Sequence, residues 1–85
     1  MGGMTTDAMR HVVVYHARGC HLCDRAIEVV ESVRSEAPFD LELVDIGGDP
    51  DLEARYRELL PVVEIDGETV FTYFVSAEAL RARLG

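Results

Sequence analysis

Eighty-five residues, 48% hydrophobic and 28% charged, make one folded domain and leave no room for a separate substrate domain. Sixteen acidic against eight basic residues give a formal charge of −8. That balance excludes nucleic acid and anionic membrane as main partners, because phosphate binding needs a basic face, and no apolar run approaches the roughly 20 residues of a membrane span.

Residues 1–9 are expected to be disordered and residues 10–85 to form a single domain. The first apolar run, Val12–Tyr15, is shorter than the 7–15 residues, roughly, of a signal-peptide core, and residues 1–9 hold no cluster of positive charge. A cytoplasmic protein is therefore expected. Charge is unevenly placed: residues 10–25 sum to +2 and residues 26–85 to −9. All three histidines, His11, His16 and His21, and both cysteines lie in the positive segment.

The elements follow in chain order. Val12-Val13-Val14-Tyr15 is a β-branched and aromatic run that reads as a buried strand. His16–Gly19 is a loop, with Gly19 suited to a tight approach to a helix. Leu22, Ala26, Val29, Val30, Val33 and Ala37 recur at helical spacing, with Pro38 as the stop, so Cys20 falls in the first helical turn. Leu41–Ile46 reads as a second strand and Gly47-Gly48 as a turn. Asp49-Pro50 is an N-cap followed by proline at the first helical position. Leu52, Tyr56 and Leu59 give that helix its stripe, with Asp51/Arg55 and Glu53/Arg57 paired outside. Pro61 ends the helix and opens the strand Val62–Ile65. Asp66-Gly67 is a hairpin turn into Glu68–Thr72, and Ser76 caps a last helix with Ala77, Leu80 and Leu84 inward. The order is βαβαββα. Tyr15, Phe39, Tyr56 and Phe71 are assigned to the core.

Cys20-His21-Leu22-Cys23 carries the chemistry, and its spacing has three readings. A structural disulfide would close a loop of only four residues, worth about 2 kcal/mol before strain. A zinc site wants four ligands, and the chain has no second Cys-x-x-Cys, although His16 or His21 can assist. A dithiol–disulfide redox centre needs one such pair after a strand and at a helix start, where unpaired amides and the helix dipole stabilise a thiolate.

The element order with Cys-x-x-Cys opening the first helix resembles the thioredoxin fold in its minimal, glutaredoxin-like form. The chain is similar to the small bacterial glutaredoxin-like family with a Gly-Cys-x-Leu-Cys site, here Gly19-Cys20-His21-Leu22-Cys23. Val44-Asp45-Ile46 with Asp49-Pro50, and Pro61-Val62-Val63-Glu64-Ile65-Asp66-Gly67, match the family's other stretches. The resemblance runs from about Arg10 to Leu84. It implies an α/β thioredoxin-like fold: a four-stranded mixed sheet, helices on both faces, and a cis bond between Leu60 and Pro61 beside the cysteines. The chain departs from glutathione-binding glutaredoxins in three places. Ala17 stands where they carry a basic residue, Arg18 following one position later; Thr72–Ala77 lacks their Gly-Gly-x-Asp stretch; and His21 and Leu22 replace the usual aromatic residue between the cysteines.

With this resemblance the chain reads as a small thiol–disulfide oxidoreductase acting on disulfide-containing proteins or mixed disulfides. Cys20, nearer the helix terminus, is the candidate nucleophile; the bland alternative is an inert surface thiol. Cys23, one turn in, resolves the mixed disulfide or is simply a core cysteine. His21 can stabilise the thiolate and Arg18 can steer an anionic thiol, or each is a solvated surface residue. His16 is more readily a structural or solvated residue. The backbone of Leu60 beside Pro61 can pair with a partner's extended chain, or Pro61 is only a helix stop. No organic cofactor or resident metal is required. The electron donor would be a low-molecular-weight thiol such as glutathione, or a thioredoxin-type reductant, and a monomer is expected. The rival classes are a metal or iron–sulfur module using Cys20 and Cys23, and a redox-inactive interaction domain of the same fold.

Overall fold

The computed structural model describes residues 9–85. The disorder expected over 1–9 lies outside the described residues except for Met9, which is exposed and belongs to no helix or strand. The elements are β1 (His11–His16), α1 (His21–Glu36), β2 (Asp40–Asp45), α2 (Pro50–Tyr56), β3 (Val62–Ile65), β4 (Glu68–Thr72) and α3 (Ala77–Leu84). A 3-10 turn, Arg57–Leu59, follows α2. The sheet order is β2-β1-β3-β4; β1 pairs parallel with β2 and antiparallel with β3, which pairs antiparallel with β4. This is the four-stranded mixed sheet and the βαβαββα order that the sequence implies.

Alternation along β1 decides which helix covers which face. Val12 and Val14 are fully buried and share a cluster with Val30 and Val33 of α1, Leu80 of α3, and Phe39, Val63 and Ile65. Tyr15 points the other way and stacks on Tyr56 of α2, ring centroids 4.3 Å apart. So α1 and α3 cover one face and α2 the other. Glu36 joins the two helices of the first face by a bidentate pair with Arg81, at 2.7 and 3.0 Å.

The ends of the elements follow local chemistry. Asp49 Oδ1 accepts the Asp51 and Leu52 amides at 3.1 and 3.2 Å, with Pro50 at the first helical position. Ser76 Oγ accepts the Ala79 amide at 3.1 Å. Asp66 (φ 52°) and Gly67 (φ 87°) both take the left-handed backbone that a two-residue hairpin with native twist demands. The Asp66 carboxylate accepts the His11 amide and the Arg10 guanidinium, each at 3.0 Å, and these contacts hold its carboxyl below the ordinary range. The hairpin tip is thereby tied to the start of β1.

Five local expectations change. Cys20 is the N-cap of α1, not part of its first turn. Ala37 is the C-cap and exposed, and Leu22 is 39% exposed, so neither belongs to the buried stripe. Leu59 leaves the α2 stripe because the chain tightens to a 3-10 turn after Tyr56, turning Leu59 outward. Of the two four-apart pairs on α2, Glu53–Arg57 closes at 2.7 Å, while Arg55 lies 5.8 Å from the Tyr56 ring centroid.

Candidate active site

The two core clusters meet at the end of β1, and the cysteines sit there. Val12–Val14 carries the chain through the core to Tyr15; Ala17 is buried, and Gly19 turns the backbone at φ +74° into α1. That value falls where any side chain costs about 1–2 kcal/mol, so glycine at this position sets the entry angle of the helix. Cys20 follows as N-cap. Its Sγ accepts the Cys23 amide at 3.1 Å, and its carbonyl accepts the Asp24 amide at 3.1 Å. A serine at this position would make the same capping bond through oxygen. Here the acceptor is a sulfur, and an N–H aimed at sulfur favours the thiolate over the thiol.

Cys20 and Cys23 are joined as a disulfide, their Cα atoms 5.1 Å apart. Cys23 is fully buried and Cys20 only partly. One cysteine is thus partly open to solvent and the other withheld one turn behind it. Cys23 packs in the second cluster with Ala17, Ile46, Tyr56, Leu60 and Val62, and Cys20 rests against that cluster. The Leu60–Pro61 bond is cis, and Pro61 is fully buried between the two cluster residues. The implied placement of this segment beside the cysteines is what the fold shows.

The other candidates divide. His21 is exposed at the start of α1. Arg18 is exposed and borders a shallow hollow with Asp45, Gly47 and Arg57. His16 is half-buried at the end of β1, where its carbonyl accepts the Ile46 amide at 2.9 Å. No three His, Cys, Asp or Glu side chains among the described residues gather as a metal-ligand set.

Two features were not read from the sequence. The first is a polar cluster behind the cysteines. The Tyr15 and Tyr56 hydroxyls donate to opposite oxygens of Glu64, at 3.4 and 3.1 Å. Burial, and then the Glu64 carboxylate, push the Tyr15 hydroxyl up to about 12. Because the folded state holds this proton more tightly than the unfolded chain, Tyr15 contributes stability that is complete below about pH 10 and lost as pH rises toward 12. Denaturant unfolding of Tyr15→Phe across pH 9–12 should show a flatter alkaline decline than the parent; identical slopes would remove Tyr15 as the cause. The second is a groove of about 390 Å³ between α1 and the segment after β4. Leu22, Arg25 and Val29 line one side, and Tyr73, Phe74 and Val75 the other. Phe74 is 73% exposed. Tyr73 has φ 66°, held by its amide donating to the carbonyls of Leu59 and Pro61 at 3.3 and 3.0 Å and its hydroxyl to the Glu58 carbonyl at 3.0 Å. The signal for this wall was Tyr73-Phe74-Val75, three apolar residues between the last strand and the Ser76 cap, with no element to bury them.

Comparison with known proteins agrees with this geometry. An uncharacterised protein of Mycobacterium tuberculosis is 35% identical over 69 residues, covering 75% of this chain and 71% of its own length. A solution structure of a Nitrosomonas europaea protein superposes with a TM-score of 0.76 at 29% identity, covering 91% of this chain and 93% of that one. A crystal structure of a protein from X. campestris gives 0.72 at 31%, covering 86% and 93%. Thioredoxin from Fasciola hepatica shares the fold, with a TM-score of 0.62 at 24% identity over 91% of this chain and 79% of its own. The model of the glutaredoxin-like domain family (DUF836) matches residues 11–85, and with the cysteine pair at the head of α1 the chain belongs to that family.

Proposed function

We propose that the protein is a thiol–disulfide oxidoreductase whose working groups are Cys20 and Cys23. The observation that carries this reading is the asymmetry of the pair: Cys20 is partly exposed and receives an amide at its sulfur, while Cys23 is buried one turn away and already within bonding reach. The Cys20 thiolate attacks a substrate disulfide, one substrate sulfur leaves as a thiolate and takes up a proton, and a mixed disulfide remains on Cys20. Cys23 then attacks the Cys20 sulfur, releasing the second substrate thiol and leaving the Cys20–Cys23 disulfide. The substrate gains two electrons and the protein loses two. Arg18 supplies positive charge at the site, His21 offers an imidazole next to Cys20, and the Leu60 backbone beside Pro61 offers a place for a partner's extended chain. The electron donor that resets the pair is a low-molecular-weight thiol such as glutathione, or a thioredoxin-type protein; the chain acts in the cytoplasm as a monomer and needs no organic cofactor or resident metal.

Equilibration in dithiothreitol buffers of graded potential, followed by alkylation and mass measurement, tests the reading. Both thiols should disappear together in one reversible two-electron transition. Thiols that stay reduced across the series, or a pair that cannot be reduced in the folded protein, would overturn it.

A further inference from the structure

Six of the eight arginines have a partner within the chain. Arg10 meets Asp66, Arg34 the Phe39 carbonyl, Arg55 the Tyr56 ring, Arg57 Glu53, Arg81 Glu36 and Arg83 Glu68. Arg18 and Arg25 have none among the described residues, and each stands two positions outside the cysteine pair. Arg25 belongs to the wall of the groove that begins one residue after Cys20, at His21; apart from His21 and the Tyr73 hydroxyl the rest of the lining is apolar, with Leu22, Val29, Phe74 and Val75 foremost. At about 390 Å³ the groove has room for a large side chain. Its far wall is fixed in place by the three hydrogen bonds of Tyr73, so little ordering is needed on binding.

The surrounding charge narrows the occupant. Residues 10–25 sum to +2 against −9 for residues 26–85, so an anionic segment is repelled least near the cysteines. An unpaired guanidinium on an apolar wall fits a ligand with an apolar arm and a carboxylate close together.

We propose that this groove selects partner-protein disulfides whose cysteine is flanked by an apolar side chain and an acidic residue. The apolar side chain seats between Leu22 and Phe74, and the carboxylate meets Arg25. This rests on the thiol–disulfide reading above and names its substrate class. Leu22, Arg25 and Phe74 are then specificity-determining residues. Their exposure, which the core does not explain, follows from that role.

The test uses pre-reduced protein and short peptides carrying one cysteine as a mixed disulfide with thionitrobenzoate. Cys20 attacks the peptide sulfur, the peptide–nitrobenzoate bond breaks, and thionitrobenzoate leaves as a coloured anion. Cys23 then displaces the peptide as a thiol, and the protein ends oxidised by two electrons. Peptides with leucine and glutamate beside the cysteine are compared with peptides carrying serine for leucine or lysine for glutamate, and each rate is divided by that for bis(2-hydroxyethyl) disulfide. The parent protein should prefer the leucine–glutamate peptide over the lysine peptide by about tenfold, at the low end of electrostatic steering into a cleft, and the preference should shrink with added salt. Arg25→Glu should abolish or reverse the charge preference, and Phe74→Ala should remove the preference for leucine over serine. Equal relative rates for all peptides, or preferences that survive both substitutions, would overturn the groove assignment while the oxidoreductase activity stands. No reaction with any probe, the small disulfide included, would overturn the activity and the assignment together.

Discussion

Cys20→Ser is expected to remove disulfide reduction altogether, whereas Cys23→Ser should stop it halfway. The difference follows from burial and position. Of the two cysteines only Cys20 is reached by solvent, and it holds the N-cap, where the Cys23 amide points at its sulfur, a geometry that favours a thiolate. Serine keeps the cap, so the helix survives, but an alkoxide is not available near neutral pH. Cys23 is fully buried and cannot meet a substrate in its place. In Cys23→Ser the Cys20 attack proceeds, but the internal displacement has lost its nucleophile. Turnover then depends on an external thiol. Measured with hydroxyethyl disulfide, Cys20→Ser should give no rate above buffer. Cys23→Ser should be slow and should recover as small thiol is added. The Cys20 thiolate should also titrate below the ordinary thiol value of about 8.5 in that variant, read from its ultraviolet absorbance. Two variants that are equally active, or equally dead without adducts, would mean the roles are misassigned.

The second large effect concerns the core. Phe39 is 2% exposed, between α1 and β2, against Val12, Val14, Val30 and Leu80. Phe39→Ala should cost about 3–5 kcal/mol through lost apolar burial and the cavity left behind. Small domains have only about 5–15 kcal/mol in total, so thermal or urea unfolding should show a severely weakened protein. Phe74→Ala removes the same side chain from a 73% exposed site and should change stability by less than about 0.5 kcal/mol. Comparable losses at both positions would contradict the division between core and groove.

That pair also marks what was legible in the sequence. The helix, strand and turn order was, because its signals are local: the Val12–Tyr15 run, the Asp49 and Ser76 caps, the Asp66-Gly67 turn. The cysteine pair was legible for the same reason, as a spacing at a strand–helix junction. The placement of Pro61 came from resemblance, because nothing local brings residue 61 to residue 20. Contacts between side chains far apart in the chain stayed hidden. Glu64 reads as one outward-facing strand residue, yet it gathers Tyr15 and Tyr56 from β1 and α2. Leu22 matches the helical stripe but lines the groove with Phe74 instead of the core, so its spacing placed it inside while the fold leaves it 39% exposed. Phe74 could not be assigned to a groove until α1 and the end of β4 were adjacent.

The mass of the Cys23→Ser protein after brief exposure to a disulfide substrate tests the central claim most directly. A single covalent adduct, on Cys20, equal to one half of the substrate and removed by dithiothreitol, is the predicted result. An unmodified protein under conditions where the parent reduces the same substrate would contradict it, because the reaction would then not pass through Cys20.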